Sequence, residues 1–578
     1  MLGKQSPQEK LFSCDNKYRK LVGERSFYCY LADHRHELFD DEDFAHLYCE
    51  DNGRESVPPS LLACALLLQW YDNVSDKEAT EKAKFDLRWK VALGLEEGDV
   101  PFAKSTLWLF RTQLIVNEEL RFILEKSIHH SRLKGYFRSK NISIAADTSP
   151  LLGKGAVEDT YNLLAEAIRV ILRTLSKFAD DSIESYATRH NFQRYIEPSI
   201  KGTFSIDWDN PDDRKTVLQT IVADSDRVLL LANQVLSQYE SNSEEAQNIL
   251  TDTELLRKIL AQDVKRNESG TDAEIIQGVA SERIISVHDP EMRHGRKSAS
   301  QRFDGYKASI AVDTESKLIT AVDVIPANAH DGSSTQTLID DTEEITGTKI
   351  DEFIGDTAYG TVEQRLEHES AEDGSRTLIA PVPRPPQNNY YTKDDFTIDT
   401  DNNTVTCPHK QTTSKWYAKK YKTKSGHTFN NKIFHFSESQ CSGCPLRSRC
   451  IKPTSRYRTI SVHEHERLIQ EAKLFQRTEE FKTHYRKRVV VEHRFARLMQ
   501  LGARKARYIG SKKALFQLAM TAAVANLTLI AAASPSYSNI LLFVTVIFLL
   551  LLNYFIKLVY YLNSHKLLNP VQVIPTLK

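Results

Sequence analysis

Three acidic side chains, Asp147, Asp356 and Glu492, stand out because of where each falls. Asp147 follows the alternating run Ile142, Ile144, Ala146, and Asp356 closes the apolar stretch EFIGD. Between His484 and Lys513 lie Arg486, Lys487, Arg488, Arg494, Arg497, Arg504, Lys505, Arg507, Lys512 and Lys513, with Glu492 as the only acid. Two aspartates at strand ends and a glutamate on a helix suit metal-assisted phosphoryl transfer. Mg²⁺ prefers hard oxygen ligands and takes one or two carboxylates per ion. Two such ions about 4 Å apart activate an attacking oxygen and stabilise the leaving one. Three carboxylates converging without cations repel, and at least one pKa rises. A lone Asp or Glu is usually surface decoration, so it is the placement of these three that singles them out.

A helical face as basic as 484–513 repels itself unless anions neutralise it, and phosphate is the natural counter-charge. A solvated charged face is the plainer account. Arg488 lies one helical turn before Glu492, so both face one groove. Arginine grips a phosphate bidentately while glutamate holds a metal, although a simple Arg488–Glu492 ion pair fits the same spacing.

The chain has eight cysteines, and Cys407, Cys441, Cys444 and Cys450 are grouped as C-x33-C-x2-C-x5-C. The start of the chain carries no apolar signal run, so a reducing cytoplasm is expected. Clustered thiols then read as Zn²⁺ ligands or as reduced, metal-free side chains, and His409 is a possible substitute ligand. Lys410, Lys415, Lys419, Lys420, Lys422 and Lys424 lie between them with Trp416 and Tyr417, a composition that suits a DNA-contacting insertion or a solvated loop. His288, Asp289, Glu291 and His294 are read as a structural or DNA-facing loop rather than ligands.

The elements that must position these groups divide the chain. At 578 residues three or four domains are expected, and 41% hydrophobic with 26% charged residues is ordinary for a globular protein. The formal charge of −1 excludes a polybasic coat, so any DNA surface comes from local clustering. Residues 57–117 read as short helices: SLLACALLLQWYDN is a buried helix after Pro58 and Pro59, and Ser75 with Glu78 forms a capping box. Gly94 is a stop and Ser105 a cap for STLWLFRTQL. That pattern fits a helix-turn-helix DNA reader and a plain bundle equally.

NISIAADTSP reads as a strand stopped by Pro150, with Asp147 at its end on the face opposite Ile142, Ile144 and Ala146. Leu164, Ile168, Ile171, Leu172, Leu175 and Phe178 keep helical spacing, and 151–282 reads as largely helical. Strands are expected at RIISVHD, YKASIAVD, LITAVDVIP and EFIGD, with a hairpin turn at Thr314, Glu315 and Ser316. A long helical region runs from near Val462 to about Ala533. Residues 539–556 are apolar and long enough for a membrane span, with Tyr554, Lys557, Tyr560 and Tyr561 suited to an interface. A translated extension beyond the last domain is the other account of that tail.

AADTSPLLGKGAVEDTYNLL, HDPEMRHGRKS with FDGYKASIAVD, GDTAYG, and YRKRVVVEHRFARL with RKARYIG resemble DDE-type transposases of bacterial insertion sequences over roughly residues 50–535. The resemblance implies an α/β, RNase H-like core, a mixed sheet with helices, at 138–150, 283–365 and 456–535. It also implies a helical N-terminal DNA-binding domain at 1–135, a helical insertion at 151–282, a Cys-containing insertion at 366–455 and a hydrophobic tail at 536–578. Asp147 would lie on the first strand, Asp356 on the fourth and Glu492 on the following helix, holding two Mg²⁺ or Mn²⁺ ions. Tyr485, Arg488 and Glu492 satisfy the Tyr-x2-Arg-x3-Glu signature, in which the Tyr and Arg contact phosphate near the cut end. Arg494, Arg497, Arg504, Lys505, Arg507 and Lys512 are the further expected DNA contacts. Met499 stands where the pattern has a lysine, with Arg497 or Lys505 as substitutes. The implied partners are terminal inverted repeats, target DNA and further copies of the chain. A catalytically inactive, DNA-binding relic and a membrane-tethered DNA protein are the competing readings.

Overall fold

The computed structural model describes residues 1–533 except 7–11, 50–52, 239–242, 268–271, 279, 281, 299, 370–375, 386–388 and 424–425, and beyond 533 only Tyr554, Lys557 and Leu558. Lys424, and the tail read as a span apart from Tyr554, lie outside the described residues.

The N-terminal region is helical. Helix α1 (Pro59–Tyr71) is apolar all round, and every residue from Pro59 to Trp70 is buried, as such a helix requires. The Ser75–Glu78 capping box forms, and Gly94 ends its helix at φ +67°. Ser105, expected to cap, instead lies inside the helix Lys104–Val116; Ala103 precedes it without a side-chain cap, so the helix starts two residues earlier than hydroxyl chemistry suggests.

Strand β1 (Asn141–Leu152) is the centre of the main sheet. β2 (Arg302–Asp313) runs antiparallel to it and β3 (Ile319–Pro326) antiparallel to β2, through the expected turn at 314–316. β4 (Lys349–Ile354) lies parallel to β1 on its other side, and β5 (Thr377–Ile379) parallel to β4. The order β3-β2-β1-β4-β5, three antiparallel strands and then two parallel ones, is that of an RNase H-like sheet. The short strand Arg293–Arg296 extends the β2 edge beside Gly305.

Two strand readings need correction. β1 does not stop at Pro150 but continues to Leu152, so Asp147 sits within it. The Leu152 N–H donates to the Arg504 carbonyl at 3.0 Å, away from β2, and Pro150, two residues back, shares that edge. Pairing with β4 ends at Ala145, so the donor that proline lacks faces an open edge and costs no ladder bond. RIISVHD is not a strand. Its Ile285 joins the large core and Ile284 and Val287 that of the helical insertion, so its apolar character reflects burial between two cores.

The insertion after β1 packs α2 (Thr160–Phe178), α3 (Pro211–Leu236) and α4 (Glu244–Asp263) around Leu164, Ile168, Ile171, Leu172 and Leu175. Phe178 is only half-buried at its margin. The second insertion is shorter than 366–455 at its start and longer at its end. β5 belongs to the main sheet, and the strand Thr459–Val462 pairs with the hairpin Trp416–Lys422/Thr428–His435.

The C-terminal helices are separate rather than one run: Glu466–Phe475, α5 (Glu479–Arg486), α6 (Val489–Gln500) and α7 (Ser511–Ala533). By length and composition α7 could cross a membrane, but 83% of its most apolar stretch is buried inside the protein. It packs against β3, α1 and the helix Phe122–Leu133, joining the N-terminal helices and the sheet into one core. Asn526 on α7 accepts the Ile319 N–H and donates to the Ile319 carbonyl, both at 2.8 Å, satisfying the free edge of β3.

Candidate active site

Register brings the two aspartates level. Ala145 on β1 pairs with Ile354 on the parallel β4, and Asp147 and Asp356 each lie two residues further on. Neighbouring strands run about 4.8 Å apart, so the two carboxylates share one end of the sheet. Asp356 sits in a turn whose shape its own side chain fixes by accepting the Ala358 N–H at 2.8 Å. Tyr359, fully buried, anchors the turn against Phe353 with ring centroids 5.6 Å apart. Gly360 permits closure: a Cβ there would lie 1.9 Å from the Pro381 carbonyl oxygen.

Helix α5, the turn Lys487–Arg488 and helix α6 carry Tyr485, Arg488 and Glu492 over this end of the sheet. The Arg488 Nη1 donates to Asp147 Oδ2 at 3.3 Å and to Glu492 Oε1 at 3.1 Å. The two carboxylates are thus bridged by a single guanidinium nitrogen. Shared groove and ion pair are both realised. Burial pushes the Asp147 carboxyl up to about 6, Asp356 and Asp331 add to the rise, and Arg488 and the Thr148 N–H oppose it. Burial also raises the Tyr485 hydroxyl, with Arg488 opposing and Asp356, Asp147 and Glu492 contributing. All three acids therefore act electrostatically on one tyrosine.

The basic run separates into unlike groups. Arg504 and Lys505 are exposed, and Arg497 is half-exposed beside Gln500 at 3.3 Å. Lys512 pairs with Glu118 at 2.6 Å. Arg494 is 8% exposed on the inner face of α6 with Val490, Val491, Phe495 and Leu498, so the expected DNA contact is not available to it. Arg507 is also redirected: its guanidinium lies 4.0 Å over the Trp70 ring and donates to the Val74 carbonyl at 3.2 Å, clamping the core onto the N-terminal helices. Met499 packs against the hydrophobic core.

Several residues were not foreseen. Glu352 on β4 accepts from Ser143 and His484 and, at 3.3 Å, from Lys487, neutralising part of the basic run from within. Asp331, held by Lys307 at 2.7 Å, is the further acid felt by Asp147. A cavity of about 690 Å³ opens beside the site, lined by Thr357 and Tyr485 and by the cations Arg384, Lys482 and Arg486. Nothing local marks Arg384, which only the fold brings here.

His288, Asp289, Glu291 and His294 go to four different partners: Glu166, Tyr306, the Ser511 N–H and Asp304. Among the described residues, His34, Glu37 and His130 bring ligand atoms within 4.8 Å of one another. The Lys134 ammonium, 2.8 Å from Glu37, already supplies a cation there. Cys407, Cys441, Cys444 and Cys450 line one small cavity in the second insertion, while His409 is exposed outside it.

A mixed sheet of this order, with one acid on its first strand, one just beyond the end of its fourth and one on a following helix, defines an RNase H-like core. Residues 406–531 match the family model described as a transposase DDE domain, and residues 18–113 that described as a transposase domain (DUF772). Together with the fold, the matches are consistent with a DDE-type insertion-sequence transposase and indicate a transposase function. That family implies DNA binding in general and generally uses divalent metal ions. The first span includes Glu492 and the four grouped cysteines; Asp147 and Asp356 lie outside both. No curated protein and no solved structure matches the chain.

Proposed function

We propose that the protein binds the terminal inverted repeats of an insertion sequence, cleaves the DNA strand there and joins the freed 3′ hydroxyl to target DNA. Asp147, Asp356 and Glu492 would hold two Mg²⁺ or Mn²⁺ ions. Such ions supply activation of the attacking oxygen and stabilisation of the leaving one. The carboxylates are hard oxygen donors, and the observation that carries this reading is geometric: register sets Asp147 and Asp356 side by side, and one Arg488 nitrogen ties Asp147 to Glu492. Arg488 would pass from the carboxylates to a DNA phosphate, with Tyr485 beside it. Arg384, Lys482 and Arg486 along the neighbouring cavity would follow the backbone, and the exposed Arg504 and Lys505, with Arg497 and Lys512, would extend that track. Two copies of the chain, each on one end, would act together in the cytoplasm.

A second reading, an inactive DNA-binding relic, is favoured by Met499, which turns to the core where the pattern has a lysine. One experiment separates the two: Mg²⁺-dependent cleavage of a duplex carrying the repeat that flanks the reading frame, by wild type and Asp356→Asn. Active wild type with a loss of ~10³-fold or more in the variant is expected. Equal rates overturn the role of Asp356, and binding without any cleavage selects the relic.

A further inference from the structure

We propose that Cys407, Cys441, Cys444 and Cys450 hold one structural zinc ion that completes the core of the second insertion. The four residues come from three segments: the turn after the strand Thr404–Thr406, the end of the helix Glu438–Ser442 with the turn beyond it, and the end of the helix Arg447–Cys450. All four line a single cavity of about 30 Å³. Two tight turns present them. The Lys410 N–H donates to the Cys407 carbonyl at 2.8 Å, with Lys410 at φ +54°, and the Cys444 N–H donates to the Cys441 carbonyl at 3.4 Å.

Two further observations point to an ion. Among the described residues the insertion buries one cluster of six apolar side chains, Phe396, Val405, Phe434, Phe436, Ile460 and Val462, with Phe429, Ile433 and Ile451 buried outside it, and Cys407, Cys441 and Cys450 pack against the cluster. A core that small ordinarily needs a staple, and the four cysteines form no disulfide. Arg447 and Arg458 also line the cavity and donate to the Cys441 and Cys450 carbonyls at 3.3 and 2.9 Å. Arg447 also donates to the Ser455 and Arg456 carbonyls and Arg458 to that of Tyr391, and the two positive charges so held match zinc on four thiolates, a net dianion. Among the described residues no three of the four sulfurs lie within 4.8 Å of one another, so closure at Zn–S distances of about 2.3 Å draws the side chains inward over the cavity. Binding releases the four thiol protons to water, which makes affinity rise with pH.

The test needs no DNA, so its outcome is independent of the proposed activity. The full chain, purified reduced and without chelator, is assayed for zinc by mass spectrometry and then exchanged with Co²⁺. About one zinc per chain is expected, with tetrahedral thiolate absorption for cobalt. Cys441→Ser with Cys444→Ser should lose the ion, and Cys49→Ser, at an exposed cysteine, should keep it. Wild type that stays zinc-free after exposure to Zn²⁺, cobalt spectra without thiolate bands, or unchanged zinc in the double variant would each overturn the site.

Discussion

The main sheet and the cysteine-bearing insertion solve the same problem by opposite means. Around β1, a core continuous from α1 through α7 holds the strands so firmly that it tolerates acids placed together at one end. Among the described residues the insertion's apolar cluster has six buried side chains, and it must find rigidity elsewhere. Burial sufficient to overdetermine a backbone leaves it free to store electrostatic strain, whereas a small core spends its polar chemistry on holding itself together.

The sharpest way to break this comparison is to hollow each core. Phe353→Ala, at a fully buried β4 position, should lower unfolding free energy by about 3–5 kcal/mol. Phe434→Ala should leave the main denaturation midpoint nearly unchanged while raising hydrogen exchange within 416–435. A shared midpoint loss would mean the two regions fold as one unit.

Electrostatic strain is tested next. The folded Asp147 carboxyl, at about 6, lies above its ordinary 3.8, so its stabilising contribution is complete below pH 3.8 and lost as pH rises through 6. Without divalent ions, Asp147→Asn should therefore stabilise the protein at pH 7.5, by up to about 3 kcal/mol since the shift already contains the Arg488 pairing, and not at pH 3.5. Thermal melts at both pH values read this directly, and a variant less stable at pH 7.5 would contradict it. The smallest effect concerns the basic run. Arg504→Ala with Lys505→Ala should reduce the salt slope of DNA binding by about 1–2, whereas Arg494→Ala should leave the slope alone and cost stability.

Much of this was legible. The Ser75 box, Gly94, the hairpin at 314–316 and the strands flanking Asp147 and Asp356 follow from local chemistry. The inward Arg494 was legible too, since Val490, Arg494 and Leu498 repeat every four residues, but charge alone obscured it. Pro150 misled because its missing donor faces an open edge, a fact of register. RIISVHD misled because apolar content cannot tell a strand from a strap between two cores. Glu352, Asp331 and Arg384 join the site only through tertiary approach, and no spacing announces them.

The central claim is that three distant carboxylates share a pair of divalent cations once Arg488 yields its place. Anomalous diffraction from crystals of the protein with Mn²⁺ and an end duplex tests it most directly. Two peaks about 4 Å apart, bounded by Asp147, Asp356 and Glu492, with Arg488 turned to a phosphate, are the predicted result. Manganese absent from this site, or bound with Glu492 still held by Arg488, would contradict it.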